Sequence, residues 1–240
     1  MKPDLAHPDR NTIKSLFNAI PSQYDFLNSF LSLGLDRRWR RQLARTALVH
    51  EQGGKVLDLG VGTGKSLAEF IKTGRFNYFL GCDFSENMLA KSKERLGNSA
   101  DLLACDFHDL PFGSNSFDLV TGSFILRSVQ SMNEFLSEAN RVMRPGGKAV
   151  FLELTRPKNK LIWNLAYRPY LNFYLPTVGR LFSRHDNAYQ FLSQSIQTFI
   201  EPDDLKRDFE SVGFSDVTYR QLNFGSVTII EGRKRHEKHF

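Results

Sequence analysis

The residues best suited to do chemistry begin with Asp58-Leu59-Gly60-Val61-Gly62-Thr63-Gly64, which follows a short apolar run, Lys55 to Leu59, and opens a helix. Glycines at such a turn let the backbone approach a ligand without a Cβ in the way. The first N–H groups of the helix point at whatever lies in front of them. In an open parallel sheet this place, beyond the carboxyl ends of the strands, is where ligands bind. The spacing argues against two ligand classes. Gly60, Gly62 and Gly64 alternate strictly, so the dinucleotide pattern G-x-G-x-x-G is not met. Gly64-Lys65-Ser66 supplies the second half of a triphosphate-binding loop, but Leu59 stands where its first glycine belongs. Asp58 separates the remaining cases, because a carboxylate beside the loop repels a pyrophosphate and suits a cation.

Two more carboxylates follow at strand ends. Asp83 stands where an acid after a glycine loop accepts from ribose hydroxyls. Asp106 is placed to accept from an adenine amino group, and Phe107 beside it either stacks or packs. Any one of the three is also explained as a helix cap or a solvated turn residue. Three at successive strand ends form a ligand-facing row, which fits S-adenosylmethionine, a ligand with an ammonium, a sulfonium and no phosphate.

The elements that must hold this row read as strands alternating with helices. Strands are expected at Lys55 to Leu59, Tyr78 to Cys82, Leu102 to Cys105, Phe117 to Thr121 and Lys148 to Leu154. Helices are expected at residues 65–73, at Glu86 to Leu96 with Ser85 as N-cap, at 132–143, and at Asp203 to Val212. Pro145-Gly146-Gly147 reads as a turn. Val217 to Leu222 and Ser226 to Glu231 lie too close in sequence for a parallel crossover, so they pair as a hairpin. The expectation is an α/β Rossmann-like fold: a mostly parallel seven-stranded sheet with one antiparallel strand from the C-terminal hairpin. Residues 1–50 read as an N-terminal helical cap over the substrate site, interrupted at Pro21. Residues 51–240 read as the ligand-binding domain, with an aromatic insertion at about 157–200.

Composition narrows the class further. The chain has 240 residues, 41% hydrophobic and 24% charged, which suits one globular domain. Its aromatic content is 21 Phe against 2 Trp and 7 Tyr, enough for a core and for an apolar binding site. Net charge is +6, concentrated at Arg37, Arg38, Arg40 and Arg41 and in the tail at Arg233, Lys234, Arg235 and Lys238. Such runs are either solvated faces or contacts for anionic surfaces. Cys82 and Cys105, both at ends of apparent buried strands, give neither a disulfide framework nor a metal spacing, and suit a reducing cytoplasm. No metal site is expected. The polar start, with Pro3 and Pro8, does not read as a leader. No apolar run is long enough for a membrane-spanning helix.

The resemblance carried by these motifs is specific. DLGVGTG, GCDFSENML and CDFHDLPF resemble the successive cofactor motifs of class I methyltransferases. Phe17 to Asn28, Ser32 to Trp39, Ser123 to Val129, Arg141 to Gly147, Leu152 to Pro157, Tyr174 to Ile196 and Asn223 to Gly232 are similar to the ubiquinone/menaquinone biosynthesis C-methyltransferase family. Two departures stand out. The family's Ala-Gly-Gly-Thr-Gly-Asp loop reads Gly60-Val61-Gly62-Thr63-Gly64-Lys65, and its Gly-Leu-Arg-Asn reads Ile125-Leu126-Arg127-Ser128.

The resemblance implies methylation of a ring carbon of a polyprenylated quinol. It implies cofactor contacts from Thr63, Asp83, Asp106, Phe107 and Ser123, to which the loop adds Asp58, Gly60, Gly62 and Gly64, and the following helix Met88. Alignment of the acceptor carbon with the sulfonium methyl is the main task. Arg127 stays charged, so it is assigned to a developing phenolate or to a water that takes the proton. Tyr24 and Asp25 are assigned to positioning the acceptor hydroxyl. The insertion reads as an apolar lid or prenyl tunnel. Its basic residues make peripheral membrane contact an expectation beside a plain cytoplasmic location. A nucleic-acid partner is not expected, since no Asn-Pro-Pro-aromatic signature occurs, and a homodimer stays open. So do two other functions: methylation of a different small molecule, and a non-catalytic S-adenosylmethionine-binding subunit.

Overall fold

Lys55–Leu59 forms β1 because its alternate side chains serve two opposite cores, Val56 on one face of the sheet and Leu57 and Leu59 on the other. The same division runs through β4 (Phe117–Ser123), β5 (Met143–Leu154) and β7 (Val227–Lys234), which is why apolar residues stand at adjacent positions in these strands, as in Leu119-Val120, Ala149 to Leu152 and Ile229-Ile230. With β2 (Tyr78–Asp83), β3 (Asp101–Ala104) and β6 (Phe214–Leu222) they make a seven-stranded sheet of order β3-β2-β1-β4-β5-β7-β6. The computed structural model describes residues 25, 29, 32–47, 53–174 and 200–236. β7 runs antiparallel to both β5 and β6, so it is the one reversed strand, as the hairpin spacing predicts.

One face is covered by α1 (Leu35–Ala47), α2 (Lys65–Ile71) and the end of α3 (Glu86–Leu96). The other is covered by α4 (Met132–Val142) and α5 (Pro202–Ser211). Phenylalanines dominate the second face. Phe107, Phe135, Phe151, Phe209 and Phe214 form an unbroken series of ring contacts with centroids 6.3, 5.7, 5.8 and 5.2 Å apart. Helix starts follow their caps: Ser85 accepts from Met88 N and Ser131 from Glu134 N, each worth about 1 kcal/mol. Pro202 opens α5 at a position that needs no N–H.

Several boundaries differ from expectation; β6 begins at Phe214 rather than Val217, and β7 runs on to Lys234. β5 begins at Met143, which pairs with Phe117. The expected turn at Pro145-Gly146-Gly147 is instead a bulge, where the register shifts between Phe117 and Leu119. β3 ends at Ala104, so Cys105 and Asp106 lie beyond it. β3 is an exposed edge strand rather than a buried one. The insertion opens with a helical turn, Lys160–Ile162, and π-helical turns at Trp163–Tyr167 and Tyr170–Tyr174. The rest of it, 175–199, and residues 1–24 lie outside the described residues. Among the described residues no helix is long and apolar enough to cross a membrane.

Candidate active site

The glycine loop takes its shape from three left-handed residues, Gly60, Gly62 and Gly64, with φ of 68°, 55° and 79°. This accounts for their strict alternation. A Cβ on Gly60 would meet Ile125 Cδ1 at 2.8 Å, and one on Gly64 would meet Ser92 Oγ at 2.7 Å. The loop is therefore pressed against its neighbours on both sides as well as twisted.

Asp83, at the end of β2, holds the loop in place. Its Oδ2 accepts from Gly62 N at 2.8 Å and its Oδ1 from Ser85 N at 2.9 Å. The Phe84 N–H also bonds to this carboxylate, which still has acceptor capacity for a further donor. Burial pushes its pKa up to about 6 against the lowering effect of these backbone N–H groups.

Two hollows open along the carboxyl ends of β1 to β4. The first is lined by Gly60, Gly62, Asp83, Met88, Ser123 and Ile125 among others. The second is lined by Asp106, Phe107, His108, Cys105 and Val129 among others. They share Phe84 and Ser128, and so form one open groove. Phe107 is buried edge-on against Phe84 at 5.7 Å, so it packs and forms wall. Asp106 Oδ1 accepts from His108 N at 3.0 Å and lies 3.1 Å from His108 Nδ1; His108 Nε2 accepts from Ser131 N at 3.4 Å.

Asp58 lies beneath the loop rather than on the groove wall. It is 1% exposed, and among the described residues neither carboxylate oxygen has a hydrogen-bond partner. Burial pushes its pKa up to about 8; Arg40 nearby lowers it and Asp83 raises it. A buried carboxylate without partners, under a loop with a second carboxylate, fits a cationic ligand and disfavours an anionic one. Donor set and electrostatics thus match S-adenosylmethionine.

The other assigned residues are placed as follows. Ser123 Oγ accepts from Ser66 Oγ at 2.7 Å, and Ser66 in turn accepts from Arg40. Arg40 stacks over the Phe124 ring at 5.0 Å, so α1 braces the groove through a buried cation. Thr63 turns away from the groove and donates to Asp25 Oδ1 at 2.6 Å. Asp25 also pairs with Arg95 at 2.6 Å and Lys65 at 3.6 Å, which pins the N-terminal segment to the outer side of the loop. Gly64 lies behind the loop against α3. Arg127 sits in the single 3₁₀ turn after β4, with its side chain 5% exposed. Tyr24 lies outside the described residues. Gly60, Gly62, Asp83, Met88 and Ser123 therefore meet in one hollow, and Asp106 and Phe107 in the adjoining one.

Glu153 was not foreseen. It is wholly buried; its Oε1 lies 2.5 Å from Arg127 Nε and its Oε2 accepts from Arg127 N at 3.3 Å. A lone acid inside the apolar run Ala149 to Leu154 was the available signal, since a charge there needs a partner. Tyr167 lies close enough to Arg127 for that charge to act on its phenol. Burial pushes the phenol up to about 12, while a hydrogen bond to Ser226 and the Arg127 charge pull it down.

Comparison with known proteins agrees with this geometry. The model of the ubiE/COQ5 methyltransferase family matches residues 6–234. The ubiquinone/menaquinone biosynthesis C-methyltransferase UbiE of Geobacter sulfurreducens is 37% identical, over 92% of this chain and 88% of that one. The demethylmenaquinone methyltransferase of Mycobacterium tuberculosis is 39% identical over 94% of each chain. Among solved structures, phosphoethanolamine N-methyltransferase 2 of Haemonchus contortus, in complex with S-adenosyl-L-methionine, superposes with a TM-score of 0.63 at 15% identity. That match covers 83% of this chain and 53% of the other, and shows the shared fold. The chain belongs to the ubiE/COQ5 methyltransferase family and is an S-adenosylmethionine-dependent methyltransferase of the class I fold.

Proposed function

We propose that the chain methylates a ring carbon of a prenylated quinol in menaquinone or ubiquinone biosynthesis. The observation that carries this is end-to-end similarity to relatives named for that chemistry, at 37% and 39% identity. S-adenosylmethionine, when bound, supplies an activated methyl electrophile. Asp83, held by Gly62 and Ser85, accepts from the ribose hydroxyls, and Asp106 takes the adenine amino group. Asp58 balances positive charge from below the loop. Met88 and Ser123 complete the walls.

Arg127 is assigned to the acceptor, where its fixed charge would lower the cost of ionising the acceptor hydroxyl. Glu153 clamps the Nε edge of Arg127, so the guanidinium is oriented before any acceptor arrives. Tyr24 and Asp25 are assigned to the acceptor hydroxyl. Asp25 reaches it only by leaving Thr63 and Arg95, so its share in the proposal is the smaller one. A tail-bearing acceptor also calls for peripheral contact with the membrane that holds it, from a protein otherwise in the cytoplasm.

The test is transfer of a labelled methyl group into demethylmenaquinol and into the matching benzoquinol. Incorporation at the ring carbon of either supports the proposal. Incorporation into neither, with the donor bound, overturns it.

A further inference from the structure

Two bulky apolar side chains stand in solvent at the groove end of the sheet: Leu33 is 80% exposed and Phe224 84% exposed. Both are in the left-handed backbone region, with φ of 52° and 57°. Glycine takes that region freely, whereas a residue with a Cβ is disfavoured there. Each position thus keeps an apolar group in water at a strained site where glycine would be easier.

The two turns are neighbours. Phe224 lies in the turn Asn223–Gly225 between β6 and β7, and Leu33 lies just ahead of α1. Trp39 of α1 donates Nε1–H to Asn223 Oδ1 at 3.1 Å, and its ring meets Phe124 of the groove wall at 6.4 Å. Beyond Leu33, α1 buries Trp39, Leu43, Ala44 and Ala47 and exposes Arg37, Arg38, Arg41 and Arg45. Arg41 pairs with Glu69, while among the described residues Arg37 and Arg38 make no ion pair. The apolar face of α1 packs into the protein, so what this rim offers a bilayer is the exposed apolar tips for insertion and the basic helix face for attraction to anionic lipid.

We propose that this rim is a bilayer-docking face. Leu33 and Phe224 enter the boundary between headgroups and acyl chains, and Arg37 and Arg38 meet the phosphates of anionic lipids. The proposal rests on the prenylated-quinol reading: an acceptor with a prenyl tail resides in the bilayer, and this face borders the groove it must reach.

The experiment is co-sedimentation of the full chain, at low salt, with vesicles of phosphatidylcholine containing phosphatidylglycerol and with phosphatidylcholine alone. Binding is expected on the anionic vesicles and is weakened by added salt. Phe224→Gly, which removes both the ring and the strain, is expected to melt no lower than the parent. It should bind the vesicles on the order of tenfold more weakly, as loss of one inserted Phe implies. Arg37→Glu with Arg38→Glu should abolish the preference for anionic lipid. Both variants should methylate a tailless, water-soluble quinol in solution as the parent does, and lose turnover on vesicle-borne prenylated quinol.

No binding by the parent, or full binding by Phe224→Gly, overturns the docking face. So does a patch that instead holds two copies together, seen as halving of the mass of Phe224→Gly in light scattering without lipid. A parent chain that binds vesicles yet methylates no quinol in solution counts against the acceptor and leaves the docking face standing.

Discussion

At the scale of single residues, burial raises the two carboxylates beside and beneath the glycine loop above their ordinary range, Asp83 to about 6 and Asp58 further. Asp58 titrates at about 8 in the folded chain against an ordinary 3.8. Between those values the folded chain holds a proton that the unfolded chain has lost. The unliganded fold therefore loses stability as pH rises through that window, by at most about 1.4 kcal/mol per pH unit. A bound sulfonium or ammonium favours the ionised form, so donor binding near neutral pH releases a proton. Affinity should rise as pH approaches about 8, by up to about tenfold per unit, and then level off. Calorimetry in buffers of different ionisation enthalpy reads that proton directly. Asp58→Asn should weaken binding and flatten both pH profiles; an unchanged slope would mean that another group titrates.

Arg127 and Glu153 make the second residue-scale case. Arg127→Ala should retain donor binding and lose turnover by about two orders of magnitude or more, the scale of a lost oxyanion partner. Glu153→Gln keeps an acceptor for Arg127 Nε but removes the counter-charge. It should lower kcat more than it raises KM for the acceptor, with donor affinity unchanged, whereas a merely structural role would impair kcat, KM and donor affinity together.

At the scale of elements, the glycine loop shows how local chemistry fixes a turn. Gly64→Ala must place a Cβ at φ 79° and 2.7 Å from Ser92 Oγ. It should cost more than about 1 kcal/mol in urea unfolding. Gly62, with nothing nearer than Gly60 O at 3.9 Å, should lose less on the same substitution. Legibility in the sequence follows the same line between local and distant causes. The strands around Asp58 and Asp83, the Ser85 cap and the reversed β7 were readable, because each depends on residues a few places apart. β5 was read as starting at Lys148, since the Met143–Phe117 pairing that extends it is invisible without the partner strand. The Glu153–Arg127 pair, 26 residues apart, and the Trp39–Asn223 bond, 184 apart, have no local signature. Thr63 stands in the loop and Asp106 two residues past the end of β3. Their present partners, Asp25 and His108, were not foreseen, because side-chain direction depends on which neighbours arrive.

At the scale of the whole molecule, the groove sits where the two buried faces of the sheet meet solvent, and segments distant in sequence are tied to it. α1 reaches it through Arg40, Ser66 and Ser123, and Asp25 through Thr63, Lys65 and Arg95. A ligand that fills the groove therefore binds only the assembled chain, and by mass action it must raise the unfolding temperature. At a hundredfold excess over its dissociation constant, S-adenosylmethionine should add about 2.7 kcal/mol. For a chain of this length each kcal/mol moves the midpoint by about 2–4 °C, so a rise of roughly 5–11 °C is expected in a thermal melt. Asp83→Ala removes the tie to Gly62 and the acceptor proposed for the ribose hydroxyls, so at the same concentration the rise should largely vanish. A variant that keeps the full rise would place the donor somewhere other than this groove. A parent chain with no rise at any concentration would remove the donor from the account altogether. Arg127→Ala should keep the full rise if, as proposed, it acts on the acceptor and not on the donor, and that contrast separates the two proposed halves of the site in one measurement.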